Sequence, residues 1–397
     1  MGIIRVLGSM RLGSAILFFS ALLIFFGTLA QVHLGIHLAQ KAYFQSFLVI
    51  WHYPEQWPYN EQLGWFSLPL PGGYLLGGLF LVNLLFAHFR YFKARWSHAG
   101  IALIHLGVVM LLIGQLATDL GQEEYSMWLD EGETLNYLES FRDDELVLID
   151  RTESDEDRVW AIPSKALANG QVWKREEVPL TLKVLAYFPN ALLLRPGPNV
   201  PESPAPKATR GIAADQEVRV FPDKPATAMN ERNRTSAFIE VITADGKSLG
   251  TWLVSNVFNE VTGPQIFTHE GREYEIAMRF RREYLPFSLT LTDFVHERYP
   301  GTQIPKNFQS DVRLLNSQTG EDRIVSVYMN NPLRYGGWVF FQASFAKQDT
   351  ASMFQVVKNP AAFLPYLATI IITFGLLYQF GWRLIKSGKR VKKEAVA

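Results

Sequence analysis

With 38 basic side chains against 38 acidic ones, this 397-residue chain has no net charge, which points away from nucleic acid or an acidic macromolecule as partner. It has no cysteine, so disulfides, thiolate metal sites and thiol redox chemistry by the chain itself are excluded. Apolar residues make up 48% and aromatic ones 13%, a mixture that fits membrane segments joined to a polar, β-rich part.

Hydropathy predicts four membrane-spanning helices, over about 12–31, 73–89, 99–118 and 359–383. The first holds Leu12–Ala30, broken only by Gly, Ser and Thr. It carries no small-residue cleavage motif and reads as a retained anchor. The last is entered through Pro360 and carries Pro365 in its first turns, where early N–H groups lack helical partners anyway. Basic residues set the orientation. Arg5 and Arg11 precede the first span, Arg90, Lys93 and Arg95 lie between the second and third, and the tail 384–397 is basic. The loop 32–72 has Lys41 as its single Lys or Arg. The positive-inside rule then predicts cytoplasmic termini and an extracytoplasmic domain over 119–358.

Within 32–72, Trp51, Tyr53, Trp57, Tyr59, Trp65 and Phe66 stand among Pro54, Pro58, Pro69 and Pro71. They read as an aromatic belt with turns on the headgroups, or as a lid or docking surface for a flat apolar ligand. The segment 119–358 has six strand-like stretches, Glu145–Ile149, Leu180–Val184, Ala237–Ile242, Phe287–Leu291, Asp311–Leu315 and Trp338–Phe341. Gly, Pro, Asn and Asp punctuate them, which predicts an all-β sandwich or open barrel. The five prolines from Pro196 to Pro206 read as an extended loop. The charged run Arg151–Arg158, with Glu153, Asp155, Glu156 and Asp157, reads as a solvated turn.

Polar groups are expensive in a bilayer, so they are informative there. His105 lies inside the third span, about 9–10 Å from its cytoplasmic end at 1.5 Å per residue. A neutral imidazole at that depth either bonds another helix or ligates a metal or haem iron. His98, seven residues earlier, shares its face at the membrane edge, and His88 reads as an interfacial anchor. His33, His37 and His52 show no spacing that argues for a joint metal site. Asn83 and Gln115 are expected to bond neighbouring helices, and Gly107 and Gly114 to admit a helix or a planar ligand. The 119–358 domain has no phosphate loop, nucleophile elbow or zinc-protease helix, and no catalytic residue is singled out. It reads as a binding or assembly module.

Several segments together carry a family resemblance. They are Gly13-Ser-Ala-Ile-Leu17 with Gly27-Thr-Leu29; His105 to Gly114; Gly132-Glu133; Leu285-Pro-Phe287, Leu289 and Asp293-Phe294; Tyr299-Pro-Gly-Thr302; Asn331-Pro-Leu333; and Gly337-Trp338 with Phe341-Gln-Ala-Ser-Phe345. In this order, with three spans before the domain and one after it, the chain resembles the ResB family of System II cytochrome c maturation. Residues 150–280 carry little of the likeness. The resemblance implies a non-catalytic or haem-ligand subunit of a cytochrome c synthase. Its partner would be a ResC/CcsA-type membrane protein, which carries the tryptophan-rich haem motif absent here. Haem b would be the transported substrate, apocytochrome c the acceptor, and thioredoxin-like thiol reductants further members of the pathway. By position, His105 becomes the proposed axial haem ligand, with a partner histidine completing the pair and His98 an open alternative. A different reading keeps the spans as mere anchors for an outer domain that binds a partner. A solute transporter is disfavoured, since the spans show neither inverted repeats nor broken helices.

Overall fold

The computed structural model describes residues 2–55, 57–91, 95–153, 156–226, 231–302, 305–346 and 350–394; Lys93 and Asp155 of the charged clusters lie outside these. Among the described residues, four helices are long and apolar enough to cross a membrane: α1 (Met10–Ala39), α2 (Gly73–Tyr91), α3 (Ala99–Gly121) and α4 (Leu364–Glu394). The chain is a membrane protein with two compact units, the helical one and a β-rich one over Glu124–Ala226 and Glu231–Val357.

In the helical unit, α1 runs eight residues past the predicted end of the first span, to Ala39. Gly35 interrupts it at φ 71°, a backbone conformation that a side chain would strain. The aromatic segment that follows is more than turns. It holds an antiparallel hairpin of β1 (Leu48–His52) and β2 (Ser67–Pro71), with Trp51 opposite Leu68. Trp51 is buried and packs on Phe26 of α1 at 4.9 Å between ring centroids. Tyr53, Trp57 and Phe66 surround it edge-on, the arrangement that aromatic quadrupoles favour. Half of the predicted aromatic belt is therefore a small core, while Tyr59 and Trp65 stay exposed. Asn83 of α2 donates to the carbonyls of Leu7 and Ser9, where the chain breaks before α1. Gln115, expected to bond a neighbour as well, lies exposed on α3.

Helices α3 and α4 pack through glycine at every seventh position of α3. A Cβ at Gly100 would lie 2.6 Å from the Gly375 carbonyl oxygen, and one at Gly107 would lie 2.9 Å from that of Ala368. Gly114 faces Leu364, and Gly121 faces Pro360. A seven-residue repeat keeps one stripe against the partner helix, and glycine there lets the backbones touch. The expectation that Gly107 and Gly114 could admit a planar ligand is corrected by this packing, because α4 fills the space.

The β-rich unit contains both predicted architectures, joined by two long strands. These are β4 (Thr134–Asp150) and β13 (Arg272–Arg298), paired antiparallel along most of their length. One half of the pair joins a sheet ordered β15-β14-β13-β4-β3-β18-β17-β16. Its other members are β3 (Glu123–Asp130), β14 (Pro305–Asn316), β15 (Glu321–Tyr328), β16 (Leu333–Tyr335), β17 (Trp338–Ala346) and β18 (Ala351–Lys358). The strands at its two ends, β15 and β16, are consecutive in the chain and joined by the tight Tyr328–Asn331 turn, so the sheet is a nearly closed barrel. Leu138, Leu289, Leu291, Val312, Leu314, Phe340 and Phe354 fill it.

The other half of the β4–β13 pair carries β5 (Arg158–Pro163) and β12 (Gln265–His269) at its edges. It packs Leu146, Leu148, Ile276 and Met278 against a second sheet, forming a sandwich. That sheet is ordered β11-β10-β7-β6, from β6 (Val172–Trp173), β7 (Leu180–Phe188), β10 (Ser236–Thr243) and β11 (Ser248–Ser255). A small hairpin of β8 (Ala191–Leu194) and β9 (Arg219–Pro222) lies between β7 and β10 in the chain. All six predicted strand stretches lie in strands.

The halves meet where the β4–β13 register slips between Phe280 and Arg282. Here Asp144, 4% exposed, accepts from Thr235 Oγ1 at 2.6 Å and Asn256 Nδ2 at 3.1 Å. Burial pushes its carboxyl up to about 6, against the pull of those two donors.

Candidate functional site

An apolar helix pair leaves its few polar side chains with only one another to meet, and α2 and α3 show this at two levels. At one end, the Asp119 carboxylate of α3 accepts from Tyr74 of α2 and from Gln45 Nε2. Toward the other end, His105 Nδ1 of α3 lies 3.2 Å from His88 Nδ1 of α2, with the rings 77° apart. The helices are antiparallel, and the two ties stand fourteen residues apart on each, about 21 Å along the axis.

Both imidazoles are half-buried. His105 stands about 160° round the helix from Gly107, so the glycine stripe takes α4 while the opposite face takes His88. Two neutral rings at 3.2 Å make one N–H···N hydrogen bond, in which one Nδ1 donates and the other accepts. Each Nε2 points away from that bond. The donor set therefore suits a metal-bearing ligand that needs one imidazole. It does not suit bis-imidazole ligation within the chain, since trans ligands about 2 Å from a metal cannot have their other nitrogens in contact.

The structure corrects the reading of His88 as an interfacial anchor and places it on the intramembrane histidine. His98 stands just before α3 without a capping hydrogen bond from its side chain, its Nδ1 3.4 Å from Ser97 Oγ. His33 and His37 flank the Gly35 break in α1, and His52 Nδ1 lies 2.9 Å from Ser67 Oγ. Among the described residues no three His, Asp or Glu converge as a metal cage. The signal for His88 was the short link after Tyr91, which makes α2 and α3 a hairpin in which residues near the turn meet, His88 three before Tyr91 and His105 six after Ala99.

The β-rich unit has a cleft of about 720 Å³ lined by Arg151, Glu275, Arg279, Arg282 and Tyr284. Each of its arginines already faces a carboxylate: Arg151 with Glu275 at 3.4 Å, Arg279 with Glu145 at 2.9 Å and Arg282 with Glu139 at 3.1 Å. The arginines of the lining are thus paired internally.

Several of the motifs that carried the family likeness are packing residues of the barrel. Leu285 and Phe287 flank Pro286 in a second register slip of β13, where a proline costs no ladder bond. Gly336, at φ +59°, leaves room for the Phe287 ring, and Phe294, Leu333 and Trp338 complete the wall.

Residues 262–363, from the approach to β12 to the threshold of α4, match the model of the ResB-like family. Protein NrfI of Wolinella succinogenes is 32% identical over 108 residues, which are 27% of this chain and 12% of NrfI. The chain thus matches only a small part of that relative's length. His88 and His105 lie outside the family-matched segment. Over residues 262–363, which hold β12 to β18 and the approach to the last span, this membrane protein is ResB-like, as its motifs led us to expect.

Proposed function

We propose that this protein is a membrane subunit of cytochrome c maturation of the System II type. With a ResC/CcsA-type partner it binds haem b as transported substrate and presents it for attachment to apocytochrome c. The observation that carries this reading is the imidazole pair: His105, within an apolar helix of a chain with a ResB-like segment, keeps its Nε2 clear of its one hydrogen bond. When bound, haem would supply an iron that takes imidazole nitrogen. His105 would hold it through Nε2, with a histidine of the partner completing the pair, because His88 contacts the other nitrogen of the same ring.

Both termini lie on the cytoplasmic side in this reading, which the even number of spans and the basic clusters at both ends and in the α2–α3 link support. The β-rich unit is then extracytoplasmic, where apocytochrome c and the thioredoxin-like reductants meet it. Haem is received in the cytoplasmic half of the bilayer, at the depth of His105. With no cysteine of its own, the chain offers the haem vinyl groups no competing thiol.

The test is colour. The protein purified in detergent with its partner should show a Soret band, and His105→Ala should abolish or strongly weaken it while both chains still co-purify. An unchanged band in that variant overturns the assignment of His105. Co-purification without any band in the wild type favours an assembly role for the barrel alone.

A further inference from the structure

We propose that His88 is the positioning residue of His105. It accepts the Nδ1 proton of His105, fixes the tautomer with a bare Nε2 and turns that lone pair toward the iron. The inference rests on the reading of His105 as the haem ligand.

The argument is one of proton count. At 3.2 Å the two Nδ1 atoms share a single proton, since two lone pairs repel and two N–H groups collide. If His105 donates, its Nε2 is unprotonated and ready for iron, while His88 carries its own proton on Nε2. If His88 donates, the roles reverse. The pair therefore presents one bare Nε2 at a time, and iron on His105 selects the first arrangement.

Three features hold that arrangement. The 77° angle between the rings leaves the iron-binding edge of His105 clear of the His88 ring. The Tyr74–Asp119 tie fixes the register of α2 on α3, and so the height of His88. The α3–α4 glycine seam fixes the rotation of α3. An acceptor on the distal nitrogen makes a ligating imidazole a stronger donor, which lowers the reduction potential of the iron it holds.

Four variants of the full chain, purified with the partner, test this. His88→Ala should lower haem affinity roughly ten- to a hundredfold, as loss of such an outer partner does elsewhere, and raise the midpoint potential. His88→Gln, whose amide oxygen can still accept, should recover most of both. His105→Ala should lose the Soret band, and His105→Gln should not restore it. Histidine ¹⁵N spectra of the haem-free protein should show a single proton shared between the Nδ1 atoms of His88 and His105 in the wild type, and an ordinary, unpaired tautomer mixture at His105 in His88→Ala.

Wild-type affinity, potential and tautomer in His88→Ala overturn the proposal. So does a band that survives His105→Gln but vanishes in His88→Ala, which puts the iron on His88. A band that survives His105→Ala with His88 intact instead overturns the haem-ligand reading itself.

Discussion

The two faces of α3 are built on opposite principles. Toward α4 the helix shows glycine at 100, 107, 114 and 121, and the backbones touch along the whole length. Toward α2 it is held by polar ties, Tyr74–Asp119 and His88–His105, while Gly77 and Gly78 of α2 have open space where side chains would stand. The first face is full and has nothing left to bind. The second keeps a register without filling its length, which a helix needs if it is to take a ligand or a partner's helix. The β-rich unit repeats the contrast, with a barrel packed by leucine, valine and phenylalanine and a joint between its halves held by a buried aspartate.

Crowding the full face should have the largest effect. Gly107→Leu drives a side chain into Ile372 and the Ala368 carbonyl, and should cost about 3 kcal/mol, the upper part of the range for overpacking. Thermal unfolding in detergent reads it, and a wild-type midpoint would mean that α3 and α4 do not pack this way.

Next comes Asp144→Asn. The folded carboxyl titrates at about 6 against 3.8 unfolded, so its ionisation opposes folding. The contribution is most favourable below pH 4, is lost as pH rises from 4 to 6, and levels off above that. Asparagine can still accept from Asn256 and can donate to Thr235. The variant should be more stable at pH 7.5 by about 1–3 kcal/mol and nearly unchanged at pH 4. Parallel pH–stability curves for the two proteins would contradict the buried charge.

Asp119→Asn weakens a tie without crowding anything, and should cost about 1 kcal/mol. If the two ties act together, it should also broaden the His105 resonances; sharp, unshifted ones would separate them. The smallest effect on stability belongs to His105→Ala, about 0.5 kcal/mol for one lost hydrogen bond. A drop comparable to that of Gly107→Leu would make the histidine pair a packing element and remove the distinction between the two faces.

Much of this was legible before the structure. The four spans follow from apolar runs of bilayer length, although α1 continues to Ala39 because nothing in Gln31–Leu34 stops a helix before Gly35. The strands followed from their short apolar stretches and turn residues. That β4 and β13 each serve two cores was not legible, because a strand's local pattern shows that a face is buried but not what buries it. His105 stood out as an imidazole in an apolar run. His88 did not, since near the end of a helix a polar residue is ordinary until a second helix is laid against it.

By itself the sequence determined the number of spans, the β-rich character of the rest, the absence of thiol chemistry and the ResB-like motifs. All of these depend on composition and on spacing along one segment. Only the tertiary structure decided that the α3 glycines serve α4, that Leu285-Pro-Phe287 is a slip in a barrel wall, and that His105 Nδ1 meets His88 Nδ1. Each of these depends on the register between segments distant in the chain, which packing sets and local pattern does not encode.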